Sequence, residues 1–362
     1  MAIYELWQHE STGERVDVIT AIDSLNVTRV VCDIGKMTFR VPFDDRIWKS
    51  LRKEQQFVVW RNGVMQFATQ YGLARWRAVT DARGIRQIEC YGECLNRLLN
   101  KRIVAYPAGS PQSDKTGKVD DIMKAIVREN MGELAEADRQ IPGLTVESDY
   151  SIGEQVSKAF AWRNLFTVEQ ELHELTLKHA KPMYWDMRAE SFGDIQFKVY
   201  ENMIGIDRRT GTKDTKPIGE QYGNLEQSMV EYDTTDEATA IWAGGQGQED
   251  ERVIKTAFDL NRALESYPFG WVEKFRDARQ SEAEDSIEAQ AQQALNEAKR
   301  IVRISGRLIE TEGLRYNRDY NWGDIVTAEA YGLHADCMIK AVGLSYSGGQ
   351  ERIDVQLEGV LA

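Results

Sequence analysis

Hydrophobic and polar positions alternate through the first hundred residues. Met37, Phe39 and Val41 are separated by Lys36, Thr38 and Arg40, the period-two pattern of a strand with one face in a core. Short runs of β-formers stand at Ile3–Trp7, Val16–Thr20 and Val27–Cys32, with turn residues at Ser11-Thr12-Gly13 and Asp33-Ile34-Gly35. Phe57–Trp60 and Val64–Ala68 flank Asn62-Gly63, which predicts a hairpin whose two central residues need positive φ. Trp76–Thr80 and Ile85–Tyr91 predict a second hairpin around Asp81–Gly84, and Cys94–Leu99 a closing helical turn. Strands at this spacing predict a barrel or sandwich.

The stretch Tyr106–Lys118, with two prolines and two glycines, reads as a linker. The period then becomes helical. Val119, Ile122, Met123, Ile126 and Val127 share a face, with Asp120 and Asp121 in the first turn, where negative charge suits a helix N-terminus. Leu165 to Leu177 predicts a second helix, with Thr167 and Gln170 as a capping box. A strand pair follows at Tyr184–Met187 and Ile195–Tyr200, and Gly205–Gly223 reads as an extended loop. Strands return at Leu225–Tyr232, Ala238–Ala243 and Val253–Phe258. Ser281–Lys299 has strong helix composition and one thin apolar stripe, Ile287, Ala291, Ala294 and Leu295. Ile301–Leu308, Asp324–Ala330, Cys337–Tyr346 and Arg352–Leu357 complete a second β unit, its last turn at Ser347-Gly348-Gly349. The expected class is mainly β with an α+β insertion: a first β domain over 1–112, an α+β insert over 113–205, and a second β domain over 206–362 with a helical insertion at 281–299.

The composition of the 362 residues is ordinary for a globular protein, 42% hydrophobic and 28% charged. The net charge of −13 argues against a dedicated nucleic-acid binder and against docking on anionic lipid. Four cysteines are too few for a disulfide scaffold and are expected reduced and buried. Cys90 and Cys94 form no CxxC, so zinc is not expected. No run of 18 apolar residues predicts a membrane span, and the N-terminus shows no secretory pattern.

Catalytic motifs are absent from the sequence. His173 and His179 stand six apart, about 600° around a helix, and so lie on different faces. His9 and His334 have no run of further ligands. Gly244, Gly245 and Gly247 follow a strand, but Glu249-Asp250-Glu251 comes next, and a phosphate cradle needs a helix N-terminus there. The glycines instead suggest a hairpin or a close backbone approach. Pairs such as Asp44/Asp45 and Asp233/Asp236 carry no separation that identifies a glycosidase. Trp76, Trp242, Trp271 and Trp322 are more commonly core or interface residues than sugar platforms. No catalytic residue, metal ligand or cofactor is expected.

Three segments, in order, resemble the tail-hub (baseplate-hub, tail-tip ring) family of long-tailed bacteriophages. The clearest is Tyr316-Asn317-Arg318-Asp319-Tyr320-Asn321-Trp322-Gly323-Asp324-Ile325-Val326-Thr327, similar to the family's Gly-Asp strand start, with Trp322 where an aliphatic residue is usual. The second is Ala240-Ile241-Trp242-Ala243-Gly244-Gly245-Gln246-Gly247, followed by Arg252. The third, looser, runs from Arg262 to Arg279. The motif positions that carry the resemblance are Gly244, Gly245, Gly247, Asp319, Gly323 and Asp324.

The resemblance implies two tail-tube-like β-barrel domains per chain and a homotrimeric, pseudo-sixfold ring. It implies a structural, non-enzymatic virion protein at the tail tip, assembled in the host cytoplasm. Its partners would be a distal tail or tail-tube protein above, a fibre or spike protein below and the C-terminus of the tape-measure protein. Genomic DNA would pass through the lumen without specific binding, and no membrane anchor is implied. Two other readings stand beside it: a tail-associated cell-wall hydrolase, and a tail component that binds host glycan or receptor.

Overall fold

The computed structural model describes residues 3–106, 110, 112–177, 181–191, 193–247, 252–279 and 284–359. The first β region holds β1 (Tyr4–His9), β2 (Arg15–Ile19), β3 (Ser24–Val30), β4 (Lys36–Pro42), helix α1 (Asp45–Ser50), β5 (Gln56–Arg61), β6 (Val64–Thr80), β7 (Arg86–Cys94) and a one-turn helix α2 (Arg97–Asn100). Alternation sets the faces: Met37, Phe39 and Val41 of β4 are buried and Lys36, Arg40 and Pro42 are exposed. The Asn62-Gly63 turn has φ of 54° and 76°, as the hairpin requires. The Asp44 carboxylate caps α1 by accepting from Arg46 N and Ile47 N.

The middle region holds β8 (Ser113–Lys118), α3 (Val119–Asn130), β9 (Leu144–Val146), β10 (Gln155–Phe160), α4 (Leu165–Leu177), β11 (Met183–Ser191) and β12 (Asp194–Glu201). Two sequence expectations are corrected here. The second half of the expected linker is strand β8, antiparallel to β10. Helix α4 begins before Thr167, and the Asn164 side chain accepts from Thr167 N, so Asn164 takes the place of the expected Thr167–Gln170 box.

The last region holds β13 (Asp207–Arg208), β14 (Ile218–Gly219), β15 (Leu225–Asp233), β16 (Ala240–Gly244), β17 (Ile254–Phe258), α5 (Leu260–Glu265), β18 (Glu273–Asp277), α6 (Glu284–Glu297), β19 (Ile301–Leu308), β20 (Ile325–Ala330), β21 (Leu333–Ser347) and β22 (Gln350–Gly359). The expected extended loop 205–223 is tied down by β13 and β14, each parallel to β20.

Among the described residues, fourteen strands form one sheet with the path β15-β19-β22-β21-β3-β4-β7-β6-β5-β1-β2, and β20, β13 and β14 branching from β21. The two halves join where β21 pairs antiparallel with β3, Leu344 opposite Val27. The barrels implied by the resemblance are not closed by hydrogen bonding: the path is open, ending at β2 and β15.

The same strand order occurs twice. In chain order β3, β4, β5, β6 and β7 lie side by side as 3-4-7-6-5; β15, β19, β20, β21 and β22 lie as 15-19-22-21-20. Every neighbouring pair in both sets is antiparallel. Each third strand meets the fourth through a two-residue turn of positive φ, Asn62-Gly63 and Tyr331-Gly332. Each fourth strand carries a bulge at the same place in its ladder with the fifth, between Leu73 and Arg75 and between Ile339 and Ala341.

The main core runs through the large sheet and the middle region, from Leu6, Phe39 and Phe57 to Trp185, Phe197, Ile339 and Leu357. A second, separate core lies in residues 238–298, where α6 packs Ile287, Ala291, Ala294 and Leu295 on Ile241, Ala243 and Ala257 of a small sheet ordered β17-β16-β18. The helix expected at 281–299 therefore belongs to a larger satellite with its own sheet.

Candidate functional site

The motif residues hold backbone together rather than present chemistry. Asp324 is 1% exposed at the start of β20. One carboxylate oxygen accepts from Ile206 N at 2.7 Å; the other accepts from Arg208 Nε at 2.7 Å and Asn321 N at 2.9 Å. Burial pushes this carboxyl up, against the hydrogen bonds from Ile206 and Arg208. Gly323 has φ of 81°, and a Cβ there would stand 2.8 Å from the Ile204 Cβ, so both conformation and space require glycine. Asp319 accepts from Arg315 N at 2.9 Å and pairs with Arg318 at 2.6 Å, which fixes the preceding turn.

Gly244 closes β16 beneath Arg252. A Cβ at Gly244 would lie 2.6 Å from Arg252 Nε and 2.7 Å from Phe275 Cζ, so the close approach expected of this glycine run is present. Arg252 donates to the carbonyls of Gly245 and Gly244, both at 3.1 Å, and to Asp277, and lies over the Phe275 ring. Gly245 N bonds to Val253 O, and Gly247 has φ of 105°. Residues 248–251 lie outside the described residues.

Trp322 explains its departure from an aliphatic residue. Its ring is buried between the guanidinium groups of Arg29, 4.3 Å from the ring centre, and Arg188, 5.2 Å away. Arg29 is fully buried and pairs with Asp186 at 2.7 Å, and Asp186 also bonds to Arg188. Burial opposes the Arg29 charge; the neighbouring Asp186 charge more than restores it. This junction draws together residues 29, 186 and 322, one from each expected domain. A second junction joins Arg61 of β5 to Glu310 at 2.7 Å and to Glu351. The pairings of Arg29 with Asp186 and of Arg61 with Glu310 and Glu351 were not visible in the sequence, because pairs separated by more than a hundred residues leave no local pattern.

Several groups suited to acid–base chemistry are buried. Glu169 and His173 lie on the buried face of α4, at 0% and 4% exposure. Burial raises the Glu169 carboxyl well above its ordinary value and lowers His173 to about 4, with its Nδ1 held 2.7 Å from Met183 O. His179 lies outside the described residues. His9 is buried, with Nδ1 3.0 Å from Gly13 O, and His334 is exposed beside Glu329. All four cysteines are free and buried; burial pushes Cys32, Cys90 and Cys337 up to about 12. Among the described residues no group of three or more His, Cys, Asp or Glu is placed to hold a metal, and no helix is long and apolar enough to cross a membrane. A cleft of about 740 Å³ beside Tyr106 and Trp162 is lined by Asp114, Glu129 and Glu136, and Glu129 is bonded to Lys115.

Two surfaces stand out instead. The first is the outer face of the satellite. Trp242 and Trp271 are 41% and 46% exposed, both indoles donate to Glu273 at 3.0 Å, and Phe258 lies 5.8 Å from the Trp271 ring. Of the four tryptophans singled out in the sequence, these two stand together; Trp76 is half-buried and Trp322 is in the core. The second is made of strand edges that pair on one side alone among the described residues: β15, and β6 beyond Leu73.

A family model described as siphovirus ReqiPepy6 Gp37-like protein matches residues 3–357. No curated protein matches the chain. Among solved structures, the 43 kDa tail protein of prophage MuSo2 from Shewanella oneidensis is similar with a TM-score of 0.62 at 10% identity, covering 99% of this chain and 98% of that one. A tail protein from Neisseria meningitidis MC58 is similar with a TM-score of 0.62 at 12% identity, over 99% and 98% of the two chains. Prophage tail protein gp18 from Listeria monocytogenes EGD-e is similar with a TM-score of 0.58 at 12% identity, over 98% and 94%. The chain thus has the fold of phage tail proteins and belongs to the siphovirus ReqiPepy6 Gp37-like protein family.

Proposed function

We propose that the protein is a structural, non-enzymatic component of the phage tail tip, three copies of which close into a pseudo-sixfold hub ring. The observation that carries this reading is the strand order that occurs twice in one chain, joined edge to edge at β21 and β3. Two similar units per chain turn three chains into six similar steps. Such a ring matches a sixfold tube on one side and a threefold fibre or spike on the other. In this reading residues 1–112 and 206–362 supply the two tube-like units, and 113–205 braces them from outside through the Arg29–Asp186 junction. Head-to-tail contacts that close cover strand edges that otherwise invite aggregation. Three chains bring a net charge of −39, three times −13. Part of that charge facing the lumen repels DNA phosphates and lets the genome pass without sticking. The tube protein above and the tape-measure C-terminus then meet one face of the ring, and the fibre or spike meets the other. Native mass measurement with negative-stain imaging tests the reading. A three-chain ring with a central hole is expected; a chain that is monomeric at every concentration overturns it.

The satellite face favours a second role. Two exposed indoles held by one carboxylate form an aromatic platform of the kind that stacks on sugar rings. Binding of host surface glycan by the wild-type chain, lost in the Trp242→Ala/Trp271→Ala variant, is the expected result. Equal binding by both chains removes this role.

A further inference from the structure

We infer that β6 of one copy pairs antiparallel with β15 of the next, in a register fixed by the joint inside the chain. The inference rests on the proposed ring and names its contact. The joint inside the chain pairs the fourth strand of the second set, β21, with the first strand of the first set, β3. The equivalent joint pairs the fourth strand of the first set, β6, with the first strand of the second set, β15. Among the described residues both of these edges are open within one chain: β15 pairs only with β19, and β6 beyond Leu73 pairs only with β7.

The register follows from the ladders. The shared bulge makes Arg75, Trp76, Arg77, Ala78 and Val79 equivalent to Ala341, Val342, Gly343, Leu344 and Ser345. Following the ladders through β7 and β4, and through β22 and β19, makes Asn26 and Val27 equivalent to Met229 and Val230. Thr28, Arg29 and Val30 then correspond to Glu231, Tyr232 and Asp233. In the chain Ala341 faces Val30, Val342 faces Arg29, Gly343 faces Thr28 and Leu344 faces Val27. Transposed, Arg75 faces Asp233, Trp76 faces Tyr232, Arg77 faces Glu231 and Ala78 faces Val230.

Nothing in the transposition selects for chemistry, yet the pairs are complementary. The two outward pairs are arginine against carboxylate. The two inward pairs are apolar or aromatic, and Trp76 and Val230 already pack partly against the core. Tyr232 is 55% exposed until it is covered. The charges are also in surplus where the contact needs them. Arg40 and Arg77 share Glu89 on one edge, and on the other Glu231, Asp233 and Glu358 share Arg303, with Lys340 3.9 Å from Glu358. Opposite charges and aromatic neighbours directly across an antiparallel pair stabilise it.

Cysteine cross-linking of mixed full-length chains tests the register. Adjacent cross-strand pairs alternate between Cα separations of about 4.5 and 5.5 Å, and both suit a disulfide. Mixing a Trp76→Cys chain with a Tyr232→Cys chain, and an Arg77→Cys chain with a Glu231→Cys chain, is expected to give a two-chain disulfide product on mild oxidation. Trp76→Cys with Val16→Cys, on the other open edge, is expected to give none. As a second measure, Arg77→Glu or Glu231→Arg alone should weaken assembly about tenfold, and the double variant should restore it. Three-chain particles without the cross-link overturn this contact and leave the ring reading intact. The cross-link in open chains of other mass supports the contact and overturns the ring. Monomers without cross-link overturn both.

Discussion

At the residue scale, buried polar knots tie distant segments together. Asp324 receives two backbone N–H groups and the Arg208 guanidinium, so truncating it leaves three donors short of an acceptor. Asp324→Ala is expected to lower unfolding free energy by about 3 kcal/mol, read as a lower urea midpoint at unchanged slope. Glu54 provides a pH signature. Burial raises its carboxyl, but the hydrogen bonds from Arg97 and Lys101 outweigh burial and hold it at about 2. A carboxyl held below its unfolded value adds stability above that value, about 4.3, and loses it as pH falls toward 2. Urea titrations between pH 6 and 2 are expected to show this slope, reduced in Glu54→Gln. The Gly323-Asp324 pair stood out in the sequence only through its resemblance to a family strand start. Arg208 did not, since it reaches Asp324 across 116 positions from a segment without periodicity.

At the element scale, legibility followed amphipathic pattern. β4, α3 and the Asn62-Gly63 hairpin combine a clear period with the right turn chemistry. β10 does not: Gln155, Ser157, Lys158 and Ala159 are exposed, so its sequence lacks the alternation that marks a half-buried strand. The Thr167–Gln170 box misled because Asn164, one turn earlier, offers the same capping chemistry. The satellite was legible in its helix and in β16 and β17, but not in β18, where Glu273, Lys274 and Phe275 are exposed in succession and leave no alternation to read. Its core is mostly alanine, so Ile241, Ile287 and Leu295 supply most of the apolar volume. Ile287→Ala is expected to cost about 2–4 kcal/mol within the satellite. Hydrogen exchange should then speed up across 238–298 while β21 and β22 keep their protection, as separate cores predict. Loss of protection in both places would show that the two cores unfold together.

At the scale of the whole molecule, the repeated strand order was invisible in sequence because equivalent positions face different neighbours. Arg75 and Arg77 stand on an open edge, whereas their counterparts Ala341 and Gly343 lie against β3. The insertions differ as well: α1 separates β4 from β5, and the whole satellite separates β15 from β19. What the repeat implies for folding depends on the joint. Leu344 and Val27 face each other there at 1% and 0% exposure, inside a core that runs through both halves and into the middle region. A shared core of this kind makes the halves interdependent, so damage at the joint is felt by both. Leu344→Ala is expected to destabilise the main body by about 3 kcal/mol. The near-ultraviolet signal of the buried Trp185 and the far-ultraviolet strand signal should still move together to a lower midpoint, as one cooperative transition. If the two signals separate, the halves fold independently, and the β21–β3 pairing is a contact between finished units rather than part of a single fold.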